Sequence, residues 1–456
     1  MKDRTRQYPL HPPPPHPQPR DEEARPRALG TQHLPRSAQH PTPEDTIHNE
    51  PSTHSAHDAA QHFELVTRPT DRRTGHPFDP PAELTQFRAE QPLRRLRFPD
   101  GHIGWLATGY SVCRAILADA RLSSRKELIH NPSMDTGGME IPPAAPGEFI
   151  NMDEPQHGRY RKLLAGKFTV RRMQLLTERV EQVTAEHLDA MEKAGPTVDL
   201  VTAFAQPIPA IMICELLGVP YQDRDSFQEQ AAAIFSGDMD DKLAAFTAIQ
   251  AYLAQLVAAK RTDPTDDILS DLTDSDLTDE ELLGVGFLLL AAGIDTTANM
   301  LGLGTFALLS NPDQFAALRS DPSLAGQAVE ELLRYLTIAE LGLRAALEDV
   351  EIDGQLIKAG ETVVVSFPAA NRDPAKYPEP DRLDLHRKAI GHLAFGHGAH
   401  QCLAQQLARV EMSVAFPALL TRFPTLRLAV PQEEVPLRVS TNVYGVQSLP
   451  VTWDKE

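Results

Sequence analysis

The segment that decides the fold is Phe395-Gly396-His397-Gly398-Ala399-His400-Gln401-Cys402-Leu403-Ala404. Its two glycines predict a tight backbone that approaches its neighbours closely. Helical sequence follows from Ala404 to Leu420, so Cys402 is expected at a helix N-terminus, where free N–H groups and the dipole favour a negative sulfur. A lone cysteine there is more often a small core residue. The surrounding loop, with Phe395 as apolar cover, instead favours a thiolate ligand to iron.

A second informative segment is a long apolar helix predicted from Asp279 to about Ser310. Thr278 and Glu281 have the spacing of a capping box, and Asn311-Pro312 ends the helix. The centre, Phe287 to Gly293, is apolar on every side. This pattern predicts a helix that runs through the core rather than along the surface.

Asp295 and Thr296 interrupt the apolar character of that helix. An acid and an alcohol in apolar surroundings are costly unless they are bonded or solvated, so they indicate a polar notch. Gly293 is expected to leave space on the same face. The alternative is structural: Thr296 bonds back to a carbonyl of the preceding turn, and Asp295 forms a buried ion pair.

The rest of the chain predicts a mainly α fold with small β sheets. Pro99-Asp100-Gly101 and Asp353-Gly354 each separate two short apolar runs, which is the pattern of a β-hairpin. A strand is predicted from Thr362 to Ser366. Further helices are predicted at 111–118, 155–191, 204–217 and 242–259, and short strands between 426 and 453.

Composition narrows the class of protein. The chain has 456 residues, 41% of them hydrophobic, and a net charge of −19, which disfavours binding to nucleic acid or anionic membranes. Its cysteines, Cys113, Cys214 and Cys402, are too few for a disulfide framework. The longest apolar run is about half of the ~20 residues that a membrane span needs, and there is no signal-peptide pattern. We therefore expect a cytoplasmic protein without a membrane anchor.

Residues 1–60 form a separate zone that is rich in proline and histidine, including the run His11 to Pro17. Such a segment cannot bury enough surface to offset its ordering entropy, which predicts a disordered extension with local polyproline character. Its histidines could bind a metal adventitiously, but a dispensable extension is the preferred interpretation. Residues 61–456 are expected to form one domain.

These motifs together resemble the cytochrome P450 family of haem-thiolate monooxygenases. The loop around Cys402 is similar to the family's Phe-x-x-Gly-x-x-x-Cys-x-Gly haem loop, with Ala404 in the place of the last glycine. Ala292 to Thr297 resembles the oxygen-activating motif. Three further similarities support this: Glu331-Leu332-Leu333-Arg334 to the Glu-x-x-Arg pair, Pro378 to Arg382 to the meander, and His157 with Arg161 to the His-x-x-x-Arg helix.

The resemblance implies the single-domain, mainly α fold of that family, holding haem b (iron protoporphyrin IX). Cys402 would be the iron ligand, and Asp295 with Thr296 would be the catalytic pair that delivers protons. The haem propionates would be bound by four basic residues: His157, Arg161, Arg344 and His400. Glu331 and Arg334, together with Arg382, would have a structural role.

The activity that the resemblance implies is hydroxylation or epoxidation of a lipophilic small molecule, in secondary-metabolite tailoring or xenobiotic oxidation. O₂ would be the oxidant, and electrons would come from NAD(P)H through a ferredoxin reductase and a ferredoxin. The basic run from His157 to Arg172 is expected to bind that acidic ferredoxin, unless it is a solvated face that partly serves the propionates. The expected pocket residues are Phe287, Leu288, Ala291, Ala292, 338–341 and 442–444.

The same residues disfavour three other functions. A peroxide-driven enzyme of this kind would carry an arginine at the acid–alcohol position, and Asp295-Thr296 argue against it. A non-catalytic homologue that assists another biosynthetic enzyme typically lacks the cysteine and this pair, which are both present here. A haem-based gas sensor would normally include a signalling domain, which the sequence does not indicate.

Overall fold

The computed structural model describes residues 65–72, 75–167, 170–236, 239–438 and 443–454. The predicted disorder of residues 1–60 and the predicted pocket residue Asn442 lie outside these ranges. The fold is mainly helical with small sheets, as predicted. The helices are α1 Ala82–Glu90, α2 Tyr110–Ala118, α3 Gln156–Ala165, α4 Val170–Ala194, α5 Pro207–Leu217, α6 Arg224–Ser236, α7 Met239–Thr262, α8 Ile268–Thr273, α9 Asp279–Leu309, α10 Pro312–Ser320, α11 Ala325–Leu336, α12 Phe367–Asn371 and α13 Gln405–Arg422.

The strands are short and belong to small sheets. They are β1 Leu93–Arg97, β2 Ile103–Ala107, β3 Leu122–Ser123, β4 Thr197–Asp199, β5 Leu341–Ala346, β6 Val350–Ile352, β7 Gln355–Ile357, β8 Thr362–Ser366, β9 Arg427–Leu428, β10 Leu437–Arg438, β11 Gly445–Val446 and β12 Pro450–Thr452. The largest sheet has the order β1-β2-β8-β5-β3, in which β2 and β8 are parallel.

Helix α9 is the central element, and its prediction is confirmed. It has 31 residues, and both hydrogen bonds of the capping box between Thr278 and Glu281 are present. Every residue from Thr297 to Leu308 is buried. Helices α5, α7, α11 and α13 all pack against α9, so its middle turns lie inside the helical part of the fold.

Both predicted hairpins are confirmed. The first joins β1 to β2 through Gly101, at φ +85°. The second joins β6 to β7 through Asp353 and Gly354, which both have positive φ, +53° and +69°. Two consecutive residues in that region are what a tight two-residue hairpin turn of type I′ requires, and Asp-Gly tolerates it at low cost.

Strand β11 packs directly on α9. A side chain on Gly445 would place its Cβ 1.8 Å from Oδ1 of Asn299, so only glycine fits here. Strand β10 pairs with β11, with Arg438 opposite Gly445. This two-stranded sheet therefore holds Arg438 at a fixed place beside the middle of α9.

The helix predicted over 155–191 is two helices, α3 and α4. Helix α1 has no counterpart among the predicted elements. Leu84 is its only buried residue, too few for an apolar repeat to show.

Two helices, α7 and α9, are long and apolar enough to cross a membrane by length and composition alone. Uninterrupted apolar runs in the sequence do not reveal them, because polar residues interrupt both helices. Helix α9 lies in the core, and α7 buries Ile249, Leu253 and Val257. Apolar helices at the centre of a soluble fold have the same composition.

Candidate functional site

The loop that carries Cys402 is closed by a backbone hydrogen bond from Cys402 N–H to the carbonyl of Phe395 (2.8 Å). Gly396 and Gly398 have φ +69° and +76°. A Cβ on Gly398 would lie 2.4 Å from the carbonyl oxygen of Leu117, so glycine is required for this close approach to α2. The predicted tight, close-packed loop is confirmed.

The state of the Cys402 thiol differs from the sequence expectation. Helix α13 begins only at Gln405, with Ala404 as its N-cap, so Cys402 lies before the helix rather than at its N-terminus. Burial raises the pKa of the thiol, while the Ala404 N–H group and the charges of Arg161 and Arg409 favour the thiolate. A thiol in this setting is deprotonated when it coordinates a metal cation.

Four predicted residues lie together beside Cys402. The imidazole rings of His157 and His400 are 4.0 Å apart between centroids. Burial, and the positive charges of His157 and Arg344, lower the pKa of His400 to about 3. Burial also lowers the pKa of Arg344, to about 10, while Arg161 interacts electrostatically with Cys402. The structure therefore gathers all five predicted cofactor-binding side chains.

Among the described residues, three members of this basic group, Arg161, Arg344 and His400, form no ion pair with an acid, whereas Nδ1 of His157 lies 3.4 Å from Oε1 of Glu154. His157 Nε2 and His400 Nδ1 are buried without a hydrogen-bond partner there. Arg344 donates only to the carbonyl of Leu343 (2.7 Å), and in the same part of the chain neither it nor Arg161 forms an ion pair. Buried cations without counter-ions are costly. A ligand that brings two carboxylates and a metal for sulfur would satisfy these groups, so the residues present fit haem.

The predicted catalytic pair makes the contacts that the structural alternative described. The Thr296 hydroxyl donates to the carbonyl of Ala292 (2.7 Å). Asp295 accepts hydrogen bonds from Arg438 at 2.6 and 3.3 Å. However, Thr296 is only half-buried, and its oxygen still has lone pairs that can accept a hydrogen bond. The proton-delivery role of both residues stays a prediction.

The expected role of Gly293 is wrong. A Cβ at this position would lie 2.4 Å from Cδ1 of Ile213. The missing side chain therefore lets α5 pack closely on α9, and it leaves no open space. The accessible part of this turn is next to it, where Ala292 is exposed and Ala291 is half-buried.

A cavity of about 230 Å³ adjoins Asp295. Its polar lining comes mainly from Gln206, Gln228 and Glu229. Arg438, which pairs with Asp295, was not found from the sequence because it belongs to no motif. Only the pairing of β10 with β11 on the surface of α9 brings it there.

The Glu-x-x-Arg pair is fully buried, with both side chains at 0% exposure. Glu331 accepts two hydrogen bonds from Arg334, at 2.7 and 2.8 Å, and a third from Arg387 at 3.1 Å. The predicted partner, Arg382, is wrong. Its side chain is 63% exposed, and it contributes its backbone carbonyl to Arg334 and Arg387.

The basic run from His157 to Arg172 has no acid within it in sequence, but the fold supplies acids. Arg159 pairs with Glu281 and Asp276, and Arg172 pairs with Asp271. The run is therefore largely neutralised where it meets α8 and the start of α9. Among the arginines of the run that form ion pairs, Arg171 is the most exposed, with 83% of its side chain accessible to solvent.

The predicted pocket segments 338–341 and 443–444 lie against each other. Tyr444 N–H donates to the carbonyl of Ile338 (2.8 Å). However, the Tyr444 ring is buried under the Arg72 guanidinium, 3.5 Å from its centroid, and Glu340 pairs with Arg72 at 2.6 Å. The side chains of Tyr444 and Glu340 therefore both contact Arg72, in the segment that precedes α1.

Helix α13 carries a buried carboxylic acid, Glu411, that the sequence did not single out. Burial raises its pKa to about 8, although a hydrogen bond with Thr297 acts in the opposite direction. Its Oε2 atom has no hydrogen-bond partner among the described residues. Glu411 is therefore expected to be protonated in the folded protein near neutral pH.

This protonation makes stability depend on pH. Because the folded-state pKa is raised from 4.5 to about 8, the folded protein retains a proton that the unfolded chain releases. As the pH rises from about 4.5 to about 8, the free energy of unfolding should therefore fall by up to about 1.4 kcal/mol per pH unit. Urea unfolding of the wild type and of Glu411→Gln, compared from pH 5 to pH 8, checks this. Identical slopes for the two proteins would contradict it.

The chain belongs to the cytochrome P450 family. The family model described as "Cytochrome P450" matches residues 241–452. With that family come a haem cofactor held by a cysteine thiolate and monooxygenase activity.

Relatives of known name support the assignment. The chain is 51% identical to "Cytochrome P450 105C1" of a Streptomyces species, over 82% of this chain and 96% of that protein. It is 43% identical to "Pentalenic acid synthase" of Streptomyces avermitilis, over 85% and 97%. Among solved structures, CYP105P1 in complex with filipin I has a TM-score of 0.80 and 45% identity, over 86% of this chain and 100% of that one.

Proposed function

We propose that this monooxygenase hydroxylates or epoxidises a lipophilic small molecule, in secondary-metabolite tailoring or xenobiotic oxidation. It would work in the cytoplasm with O₂ and with electrons from NAD(P)H, passed through a ferredoxin reductase and a ferredoxin. The observation that carries the proposal is the half-buried Cys402 beside Arg161, Arg344 and His400, which form no ion pair with an acid in the described part of the chain, and beside the unpartnered Nε2 of His157.

In this proposal Cys402 ligates the haem iron. Arg161 and Arg344 bind the propionates through their guanidinium groups, and His157 and His400 each add one hydrogen bond. When bound, the haem supplies the binding and reductive cleavage of O₂, which electron donation from the thiolate favours. The propionates of bound haem would also compensate the buried charge of Arg344. Among the described residues, Asp153 is the acid whose charge favours the charged form of Arg344.

The distal residues handle protons. The accessible Thr296 hydroxyl is positioned on α9 by the hydrogen bond that it donates to the Ala292 carbonyl, and its oxygen lone pairs can accept a hydrogen bond. Asp295, one residue earlier, borders the polar cavity and can take up a proton from water there. Arg438 pairs with this carboxylate at 2.6 Å and holds it in place beside the cavity. Proton delivery by this pair is the role that the residues support.

Replacement of Thr296 by alanine tests that role. Positioned proton transfer contributes on the order of 10²–10⁴ in rate, so product formation should fall by about 10²-fold. O₂ consumption should fall less, because reduction continues without productive proton delivery. The measurement is the ratio of product formed to O₂ consumed. Thr296→Ser, which keeps the hydroxyl, is the matched control, and an unchanged ratio in Thr296→Ala would contradict the assignment.

Two observations support a lipophilic substrate. The accessible turn of α9 presents Leu288, Ala291 and Ala292, and beside it Phe287 packs edge-on against Phe246 with centroids 5.0 Å apart. One similar protein is named pentalenic acid synthase, and a similar solved structure, CYP105P1, is a complex with filipin I. Both point to bulky organic molecules as the class to be tested first.

The experiment is a screen of lipophilic metabolites for a substrate-induced change in the haem spin state, followed by turnover with ferredoxin, its reductase and NAD(P)H. Products should contain one oxygen atom that derives from isotopically labelled O₂. Turnover with peroxide that exceeds turnover with ferredoxin would favour the peroxygenase instead.

A docking role for the basic run predicts that charge reversal at exposed Arg171 weakens ferredoxin binding.

A further inference from the structure

Glu330, the residue before the Glu-x-x-Arg motif, makes contacts that the motif does not explain. We propose that the Glu330–Arg409 ion pair is a positioning element that clamps the Cys402 loop and sets the reduction potential of the haem. This inference rests on the proposed ligation of iron by Cys402. Neither Glu330 nor Arg409 belongs to the motifs that carry the family resemblance.

The ion pair joins two helices across the loop. Glu330 lies on α11, and Arg409 lies on α13. Glu330 accepts from Arg409 through both oxygens, at 2.5 Å from Nε and 3.2 Å from Nη2. Its Oε2 also lies 3.2 Å from Nε2 of His392, a buried residue just before the loop. Burial raises the pKa of Glu330, but His392 and Arg409 together lower it to about 2, so the carboxylate is ionised.

Both ends of the cysteine loop are held by this pair. The Arg409 guanidinium lies 4.7 Å from the centroid of the Phe395 ring, at the start of the loop. Its Nη1 donates to Oε1 of Gln405 (3.0 Å), and Gln405 Nε2 donates to the carbonyl of Cys402 (3.3 Å). A planar, bidentate guanidinium is rigid enough to transmit its position along these contacts.

A single glutamine separates the charge of Arg409 from the cysteine, because Gln405 contacts both the guanidinium and the Cys402 carbonyl. A positive charge near the iron ligand stabilises the reduced state, whereas a negative charge destabilises it. The pair is partly buried, with 25% and 23% of the two side chains exposed, so solvent screens it incompletely. In the intact pair the two charges largely offset each other at the sulfur.

The neighbouring Glu331 serves a different segment. Its partners are Arg334 on α11 and, in the segment just after the meander, Arg387 and the N–H group of Asp384. Two adjacent glutamates on α11 therefore hold two different segments. Glu331 fixes the segment just after the meander, and Glu330 fixes the loop that carries the cysteine.

The test compares reduction potentials of the haem-loaded full-length protein and three variants, measured by spectroelectrochemical titration. In Glu330→Gln the uncompensated Arg409 should shift the potential in the positive direction. In Arg409→Gln the uncompensated Glu330 should shift it in the negative direction. The double variant should lie between them, near the wild type. A purely structural role would move both single variants in the same direction, so opposite signs identify the electrostatic contribution.

The matched control is Arg422→Gln, on the same helix, where Arg422 pairs with Asp189 and Glu192 instead of the loop. It should leave the potential unchanged. Arg409→Lys keeps the charge and loses the bidentate geometry, so it should keep the potential but lose the thiolate spectrum faster on heating. Shifts of the same sign, or none, in the two single variants would overturn the inference alone. A wild type without thiolate ligation would overturn the proposed function as well.

Discussion

Replacement of Cys402 by alanine is expected to abolish thiolate ligation of haem and to reduce monooxygenase turnover to background, while the protein stays folded. The sulfur is the ligand atom that the loop presents, and alanine keeps the backbone bond from residue 402 to Phe395. Absorption spectra of reconstituted protein, turnover with ferredoxin and far-ultraviolet circular dichroism would measure the three effects. Loss of the electron-donating ligand removes the driving force for O–O cleavage.

The chain contains matched controls for this substitution. Cys113 and Cys214 are both buried, and burial raises the pKa of their thiols, that of Cys214 to about 12. Alanine at either position should leave the spectrum and the turnover per haem unchanged. Retained turnover in Cys402→Ala, or equal losses in all three variants, would contradict the assignment.

Replacement of Arg334 by alanine should destabilise the protein by about 3–5 kcal/mol, because it leaves the carboxylate of Glu331 buried and short of a partner. Both side chains are fully buried, and Arg334 also donates to the carbonyls of Asn371 (3.0 Å) and Pro380 (2.8 Å). One substitution therefore removes a charge and leaves two carbonyl groups without that donor. Urea unfolding followed by circular dichroism gives the change in free energy.

Arg382→Ala is the control, because the exposed Arg382 side chain lies in the same meander and only its backbone carbonyl contacts Arg334 and Arg387. Its free energy of unfolding should change by no more than about 0.5 kcal/mol. If Arg382→Ala were as destabilising as Arg334→Ala, the network around Glu331 would be wrong. A change below 1 kcal/mol for Arg334→Ala would contradict the cost assigned to the buried pair.

The elements that the sequence predicts well are those set by local signals. Asp353-Gly354 determines its turn through two positive φ angles, and Thr278 with Glu281 determines the start of α9 through side-chain caps. The loop around Cys402 is likewise set by glycines within it. Each of these depends on residues that are neighbours in the chain, so a single sequence contains the necessary information.

The contacts that the sequence could not predict join residues far apart in the chain. Arg387 rather than Arg382 reaches Glu331, and Arg438 reaches Asp295 across 143 positions. The acids that neutralise Arg159 come from around the start of α9. These pairings depend on how helices and sheets pack, and no periodicity or spacing within a segment encodes them.

The measurement that tests the central claim most directly is the absorption spectrum of the reduced, haem-reconstituted wild-type protein under carbon monoxide. If Cys402 ligates the iron, the wild type should show the strongly red-shifted Soret band of haem with a thiolate ligand, and Cys402→Ala should lack it. A protein that does not retain haem, or a band at the same position with and without the Cys402 sulfur, would contradict it.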